Sequence, residues 1–166
     1  MAYVSLLIAL TALALSMFNL LEARRFNRIQ KRPHLVDSTH EDGTTFTFKL
    51  QNKGGGPAYL DEVMYFKDGR RVEKMNLKDL LRSVLSEQGI RAARTYVTNL
   101  GVTYVMGPGE SVTLIQADIV KEDWEKVQAL PDGLLGIRIA YHSVFGEPFV
   151  WETEKGVAQG ALPHSG

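Results

Sequence analysis

The sequence predicts a mainly β protein, an immunoglobulin-like antiparallel β-sandwich with one or two inserted helices, preceded by an N-terminal transmembrane α-helix. Three observations lead to this expectation. Residues 3–21 form a run of nineteen residues without a charged side chain. Residues 34–155 contain seven or eight short segments of strand character, separated by turn residues. These segments show no regular alternation with helices, and this favours antiparallel sheets.

The apolar run has the length of a single membrane span. A helix rises about 1.5 Å per residue, so nineteen residues nearly cross the ~30 Å hydrocarbon core. A cleaved signal peptide is the alternative, since Ala12, Ala14 and Ser16 resemble a cleavage site. However, no Lys or Arg precedes the run, and apolar residues continue beyond Ser16 to Leu21. We therefore expect residues 1–21 to be a retained anchor.

Basic residues cluster directly after the predicted span. They are Arg24, Arg25, Arg28, Lys31 and Arg32. Cytoplasmic flanks carry an excess of Lys and Arg, so we expect an inner (cytoplasmic) membrane protein whose globular domain faces the cytoplasm. Residues 22–33 are interpreted as a basic juxtamembrane helix or linker. Three roles for its basic face remain open: setting topology, contacting anionic headgroups and contacting a protein partner.

The charge balance excludes a nucleic-acid-binding surface. The chain carries 19 Lys and Arg against 19 Asp and Glu. Because five of the basic residues lie in the juxtamembrane segment, the remainder of the chain is acidic. A phosphate-binding surface requires the opposite sign. The absence of cysteine is compatible with a cytoplasmic domain.

One domain, residues 34–155, accounts for the strand signals, and residues 156–166 are expected to form a surface tail. Alternating apolar residues predict a half-buried strand over 44–52 and an antiparallel hairpin formed by 135–142 and 149–154. Asp68 and Gly69 predict a second hairpin turn. Further strands are predicted at 34–38, 58–66, 71–75 and 111–117.

The segment 76–106 is interpreted as an insertion. Its helix is predicted from an apolar stripe, with Asn76 as N-cap and Gly89 as the stop. The stripe consists of Leu77, Leu80, Leu81, Val84 and Leu85. Its cover is either the sheet of its own domain or a partner. Residues 95–98 and 102–105 predict a hairpin, and a second short helix is predicted over 121–130.

Four segments of the chain resemble a pattern found in bacterial membrane-anchored proteins. They are RPHL (32–35), NKGGGPA (52–58), GPGESVTL (107–114) and IAYHSVFGEPF (139–149). The chain resembles uncharacterised bacterial single-pass membrane-anchored proteins with a small immunoglobulin-like β-sandwich domain. This resemblance implies the fold and no particular activity, and residues 76–106 lie outside the pattern.

No motif indicates catalysis, a cofactor or a metal. Residues 54–56 are three glycines, but no GK[ST] follows them, so a turn between strands is the better interpretation than a phosphate loop. The four histidines share no metal-ligand spacing. Neither Ser111 nor Ser143 lies in a G-x-S-x-G elbow. We therefore expect a protein that is not an enzyme, without a cofactor or a small-molecule substrate.

The predicted function is that of a non-catalytic accessory or structural subunit of a larger membrane protein complex. Its expected partners are the lipid bilayer and other membrane-protein subunits. The small residues Ala9, Ala12 and Ser16 offer a helix-packing face within the span. Candidate partner contacts in the insertion are Leu77, Leu81, Tyr96 and Tyr104. The alternative is a free-standing membrane-tethered binding module that senses or recruits a soluble partner.

Overall fold

A computed structural model describes residues 2–73, 75–131 and 134–153, of which residues 2 and 4–9 are described by their backbone alone. The expected tail at 156–166 lies outside the described residues. Within those ranges the elements are α1 (Ala2–Gln30), β1 (Leu35–Glu41), β2 (Thr45–Asn52), β3 (Ala58–Lys67), β4 (Arg70–Val72), α2 (Leu77–Glu87), β5 (Ala92–Val97), β6 (Val105–Met106), β7 (Ser111–Ile119), a 3-10 turn (Lys121–Asp123), α3 (Trp124–Gln128), β8 (Leu135–His142) and β9 (Pro148–Glu152).

The strands form two antiparallel sheets, consistent with the β-sandwich that the sequence predicts. One sheet has the order β1-β2-β7-β5, and the other has the order β4-β3-β8-β9, with β6 added to the end of β3. Buried and half-buried residues alternate along β8, and the buried residues of β2 include Phe46, Phe48 and Leu50. The rings of Phe48 and Trp151, one from each sheet, lie 6.5 Å apart. The core is therefore the layer between the two sheets.

Two predicted hairpins are confirmed. Strands β3 and β4 pair across a turn in which Asp68 and Gly69 both have positive φ, as the Asp-Gly sequence predicts for a tight hairpin. Strands β8 and β9 pair antiparallel, with Ile139 opposite Trp151.

The hairpin predicted from residues 95–98 and 102–105 is wrong. Residues 95–97 lie in β5, which pairs with β7, whereas residues 102 and 103 form a turn and only Val105 of the second segment lies in a strand, β6, which pairs with β3 in the other sheet. The chain crosses between them at Leu100, whose side chain is buried. Both segments have strand character, but a period-2 pattern carries no information about the pairing partner.

The predicted helix of the insertion is confirmed. The Asn76 side chain accepts a hydrogen bond from the amide of Asp79 at 2.9 Å, which caps the first turn. Gly89 has a φ of 61° just beyond the C-terminal end. All five residues of the predicted stripe are buried against the domain's own core. The second predicted helix is confirmed as the 3-10 turn followed by α3.

Helix α1 continues without interruption from the predicted span into the basic segment. Every described side chain from residue 10 to residue 32 is exposed. Among the described residues, no helix meets the combined length and hydropathy needed to cross a membrane.

Candidate functional site: the junction between helix and sandwich

Helix α1 joins the sandwich with almost no intervening chain. The last helical turn closes with hydrogen bonds from the amides of Lys31 and Arg32 to the carbonyls of Asn27 and Ile29. Pro33, which cannot continue the helix, is buried. Strand β1 then begins at residue 35. Residues 30–35, 52–59, 104–110 and 141–147 meet here, and together they are called the junction.

The three glycines at 54–56 lie directly on the backbone of the helix end. Real Cβ atoms almost never approach another heavy atom closer than 3.0 Å. Glycine is the residue that allows such a close approach between backbones. The glycine loop therefore reverses the chain and also packs its backbone against the end of α1. A Cβ built at Gly54, Gly55 or Gly56 would lie 2.3 Å from the carbonyl oxygen of Arg32, 2.1 Å from that of Gln30, or 2.0 Å from that of Lys31, respectively.

The side chain of Asn52 is completely buried and forms hydrogen bonds to three of the four segments of the junction. Its Oδ1 accepts hydrogen bonds from the amides of His34 (3.1 Å) and Gly54 (3.0 Å). Its Nδ2 donates to the carbonyl oxygens of Gly56 (2.8 Å) and Met106 (3.0 Å). Both donors and both main acceptor positions of the amide are therefore satisfied, as burial requires.

The loop before β7 closes a second side of the junction. The backbone of Asn52 donates to the carbonyl of Glu110 at 2.9 Å and accepts from the amide of Gly109 at 2.8 Å. The Glu110 carboxylate accepts from the Tyr104 hydroxyl (2.5 Å) and the Gly107 amide (2.7 Å). The Tyr104 hydroxyl, and then the Gly107 amide, lowers the pKa of Glu110. Tyr104, predicted as a partner contact, thus uses its hydroxyl within the domain.

The β8–β9 loop reaches α1 with two side chains. The Ser143 hydroxyl accepts hydrogen bonds from the amides of Phe145 (3.2 Å) and Glu147 (3.3 Å), which fixes the loop. Glu147 forms an ion pair with Arg32, with Nε and Oε2 3.1 Å apart. The guanidinium carbon of Arg28 lies 5.6 Å from the centroid of the Phe145 ring, within the range of a cation–π contact.

The four segments of the sequence pattern thus meet at one place, although they are far apart in the chain. Their sequences predict turns and strand ends and do not mark Asn52, Phe145 or Glu147 as site residues. The available signal was that these three residues lie in two of the four matched segments, 52–58 and 139–149. The junction attaches the end of α1 to the sandwich through close backbone packing, hydrogen bonds and an ion pair. In the described part of the chain, no group of three or more His, Asp or Glu side chains could hold a metal ion.

The predicted residues of α1 fall into two sets. Arg24, Arg25 and Arg28 are exposed on α1 before the junction, whereas Lys31 and Arg32 lie within the junction and are exposed as well. Of the small residues, Ala12 and Ser16 are exposed, and the side chain of Ala9 lies outside the described part.

The partner contacts predicted within residues 76–106 need a correction. Leu77 and Leu81 are only 1% and 6% exposed, because α2 packs this face on its own sheets, so they cannot contact a partner in this fold. Tyr96 is 66% exposed. It lies at one end of an open groove between α2 and the edge strand β5. The basic side chains of this groove, called the α2–β5 groove, are Lys78, Arg82, Arg91 and Arg94.

Asp123 holds one of the basic residues of this groove, Arg91, in place. Its buried carboxylate accepts from the Arg91 amide (3.0 Å), from Arg91 Nε (2.7 Å) and from Lys126 Nζ (2.7 Å). The Arg91 guanidinium, followed by Lys126, holds the pKa of Asp123 far below its usual range. The contact joins the start of β5 to α3.

Comparison with known proteins gives no match. No protein-family model, no curated protein and no solved structure matches the chain. Function is therefore inferred from the geometry of the junction and of the surfaces beside it.

Proposed function

We propose that the chain is a non-catalytic accessory subunit of a larger membrane protein complex, anchored by its N-terminal helix with the sandwich facing the cytoplasm. The junction carries this proposal. It clamps the end of α1 onto the sandwich through glycine contacts, Asn52 and the Arg32–Glu147 ion pair. Helix and sandwich thus act as one piece that presents two surfaces at a fixed angle.

The surface of α1 supports membrane anchorage. Residues 3–21 carry no charge, and the large apolar side chains after residue 9 are exposed on all sides of the helix. A helix that is apolar all round needs lipid or other helices as cover. Ala12 and Ser16 lie on one side, where a neighbouring helix can approach closely. The basic residues after position 21 favour the cytoplasmic orientation.

The short connection favours a subunit over a recruiting tether. A tether that captures soluble partners gains reach from a flexible linker. A rigid connection is advantageous when two surfaces bind the same assembly, because the second contact then forms at a high effective concentration. The chain has Pro33 where a tether would have a linker.

We also infer that the sandwich is of immunoglobulin-like type. The orders β1-β2-β7-β5 and β4-β3-β8-β9 correspond to the ABED and CFG sheets of that fold, with β4 as an additional edge strand. This agreement supports the resemblance to bacterial membrane-anchored proteins as part of the proposal. The α2–β5 groove and Tyr96 are the proposed partner surface of the sandwich, and they replace the buried Leu77 and Leu81.

Gentle-detergent purification of the full chain, followed by mass spectrometry, tests the proposal. We expect a membrane-protein partner in stoichiometric amount. Inserting eight Gly and Ser residues after Asn27 decouples α1 while residues 28–35 stay on the junction, and it should release the partner. The matched control is the same insertion after Gly43, a turn glycine with no heavy atom near its Cβ position, and it should retain the partner.

Two outcomes would overturn the subunit proposal. One is a wild-type protein that purifies without a partner. The other is a partner whose yield is unchanged by the insertion after Asn27, because a rigid joint is then unnecessary.

The membrane-tethered binding module is the second candidate, and the open basic α2–β5 groove favours it. A binding module of this kind should capture a soluble partner, and this capture should persist in the variant with the insertion after Asn27.

A further inference from the structure

A basic cleft lies between α1 and the β8–β9 loop. One wall is the helix surface after Leu21, and the opposite wall is the ring of Phe145. The helix contributes four cations and one amide, from Arg24, Arg25, Asn27, Arg28 and Lys31. Arg24, Arg28 and Lys31 are spaced by four and three residues, so they share one helix face.

The positive charge of this basic cleft is not compensated by protein carboxylates. Elsewhere in the domain Arg71, Arg91 and Lys126 all form ion pairs. In the described part of the chain, no carboxylate lies within ion-pair distance of the four cations that line the cleft. The nearby Glu147 is engaged by Arg32.

The position of the cleft along α1 matches the headgroup layer, a step that depends on the proposed anchor. If residues 3–21 cross the membrane, Arg24 lies about 4–5 Å beyond the hydrocarbon core and Arg28 about 10 Å beyond it. The headgroup layer extends roughly 5–8 Å from that core, and long arginine side chains cover the difference. Phe145, which lines the same cleft, and the neighbouring Val144 are 43% and 49% exposed in the β8–β9 loop.

We propose that the basic cleft binds the phosphate of one anionic phospholipid. Arg24 and Arg28 supply guanidinium forks, which match phosphate oxygens in a bidentate manner. The Phe145 ring, held against Arg28, packs on the glycerol carbons beside the phosphate. The bound lipid would join α1 to the β8–β9 loop and so stabilise the junction from the membrane side.

Native mass spectrometry of the full chain in mild detergent tests this proposal with phosphatidylglycerol and phosphatidylcholine as probes. Wild type should retain one phosphatidylglycerol and no phosphatidylcholine. The double variant Arg24→Gln/Arg28→Gln should bind phosphatidylglycerol about 30-fold more weakly, from the loss of two surface cations. The matched control is Lys49→Gln/Arg70→Gln, which removes the same charge from two exposed positions outside the basic cleft and should bind phosphatidylglycerol like wild type.

The lipid site would be overturned by equal retention of the two lipids, by equal binding of phosphatidylglycerol in the two double variants, or by displacement of phosphatidylglycerol by excess inorganic phosphate. The last outcome would identify a site for free phosphate. Alkaline extraction of membranes separates failure of the anchor from failure of the site. A wild type released into the supernatant overturns the anchor and the site together, whereas a retained wild type that carries no phosphatidylglycerol overturns the site alone.

Discussion

Replacing Gly55 by valine should loosen the joint between α1 and the sandwich. A Cβ at this position would lie 2.1 Å from the carbonyl oxygen of Gln30 and 3.2 Å from its carbon. Both are backbone atoms, so the end of the helix itself must move by about 1 Å to reach the 3.0 Å limit. Overpacking of this kind costs about 1–3 kcal/mol. For a domain of this size, each kcal/mol lowers Tm by about 3–5 °C.

Two measurements check the prediction on the full chain in detergent. The first is thermal unfolding, in which Gly55→Val should have the lower Tm. The second is the distance between spin labels at Ile29→Cys and Val150→Cys, since the sequence has no cysteine of its own. We expect a narrow distance distribution for wild type and a broad one for Gly55→Val.

The control is Gly101→Val. Gly101 also lies in a loop, and no heavy atom lies within 4 Å of its Cβ position. The change from glycine to valine reduces the entropy of the unfolded chain in both variants, so this contribution cancels in the comparison. We expect the control to stay within about 0.5 kcal/mol of wild type. An unchanged Tm together with a narrow distribution in Gly55→Val would refute the clamp.

Four further predictions concern the junction, the core, acid stability and topology. Asn52→Ala leaves buried backbone groups without partners and should cost about 3 kcal/mol in urea unfolding, whereas exposed Asn99→Ala should be neutral; equal effects would contradict the role of Asn52. Leu80→Ala should cost about 2–5 kcal/mol in the same assay, while Tyr96→Ala should leave stability intact and weaken partner binding. A stable Leu80→Ala variant would show that α2 does not pack into the core. The pKa of Asp123 in the folded state is depressed below its ordinary value of 3.8. The ionised carboxylate therefore adds to the free energy of unfolding above pH 3.8, and this stabilisation is lost as the pH falls below that value. Tm should therefore fall less on acidification in Asp123→Asn than in wild type, and parallel pH profiles would exclude this role. A C-terminal reporter active only outside the cytoplasm should stay silent, and an active reporter would reverse the proposed orientation.

The junction also changes the interpretation of the basic segment. The sequence groups five cations after the apolar run, and all five are candidates for the same roles. In the folded chain Arg32 forms an ion pair with Glu147, whereas the other four cations remain available to bind a ligand. Arg28 is intermediate, because it contacts Phe145 and also lines the basic cleft.

Local periodicity and capping were sufficient for several elements. The alternation in β2 and β8 identifies two strands, since side chains of a strand alternate between faces. The spacing of Leu77, Leu80 and Leu81 with Asn76 as N-cap identifies α2, since both signals lie within a few residues of each other. Asp68 and Gly69 identify their turn for the same reason.

The sequence by itself determined the class of the domain, most strand positions, α2 and the uncharged character of residues 3–21. Only the tertiary structure decided that β5 and β6 belong to different sheets and that Leu77 and Leu81 face the domain's own core. It also revealed why three glycines stand at 54–56. The carbonyl oxygens that exclude a side chain there belong to residues 30–32, more than twenty positions earlier in the chain. Periodicity and propensity describe neighbours along the chain, whereas such close approaches arise only when distant segments pack.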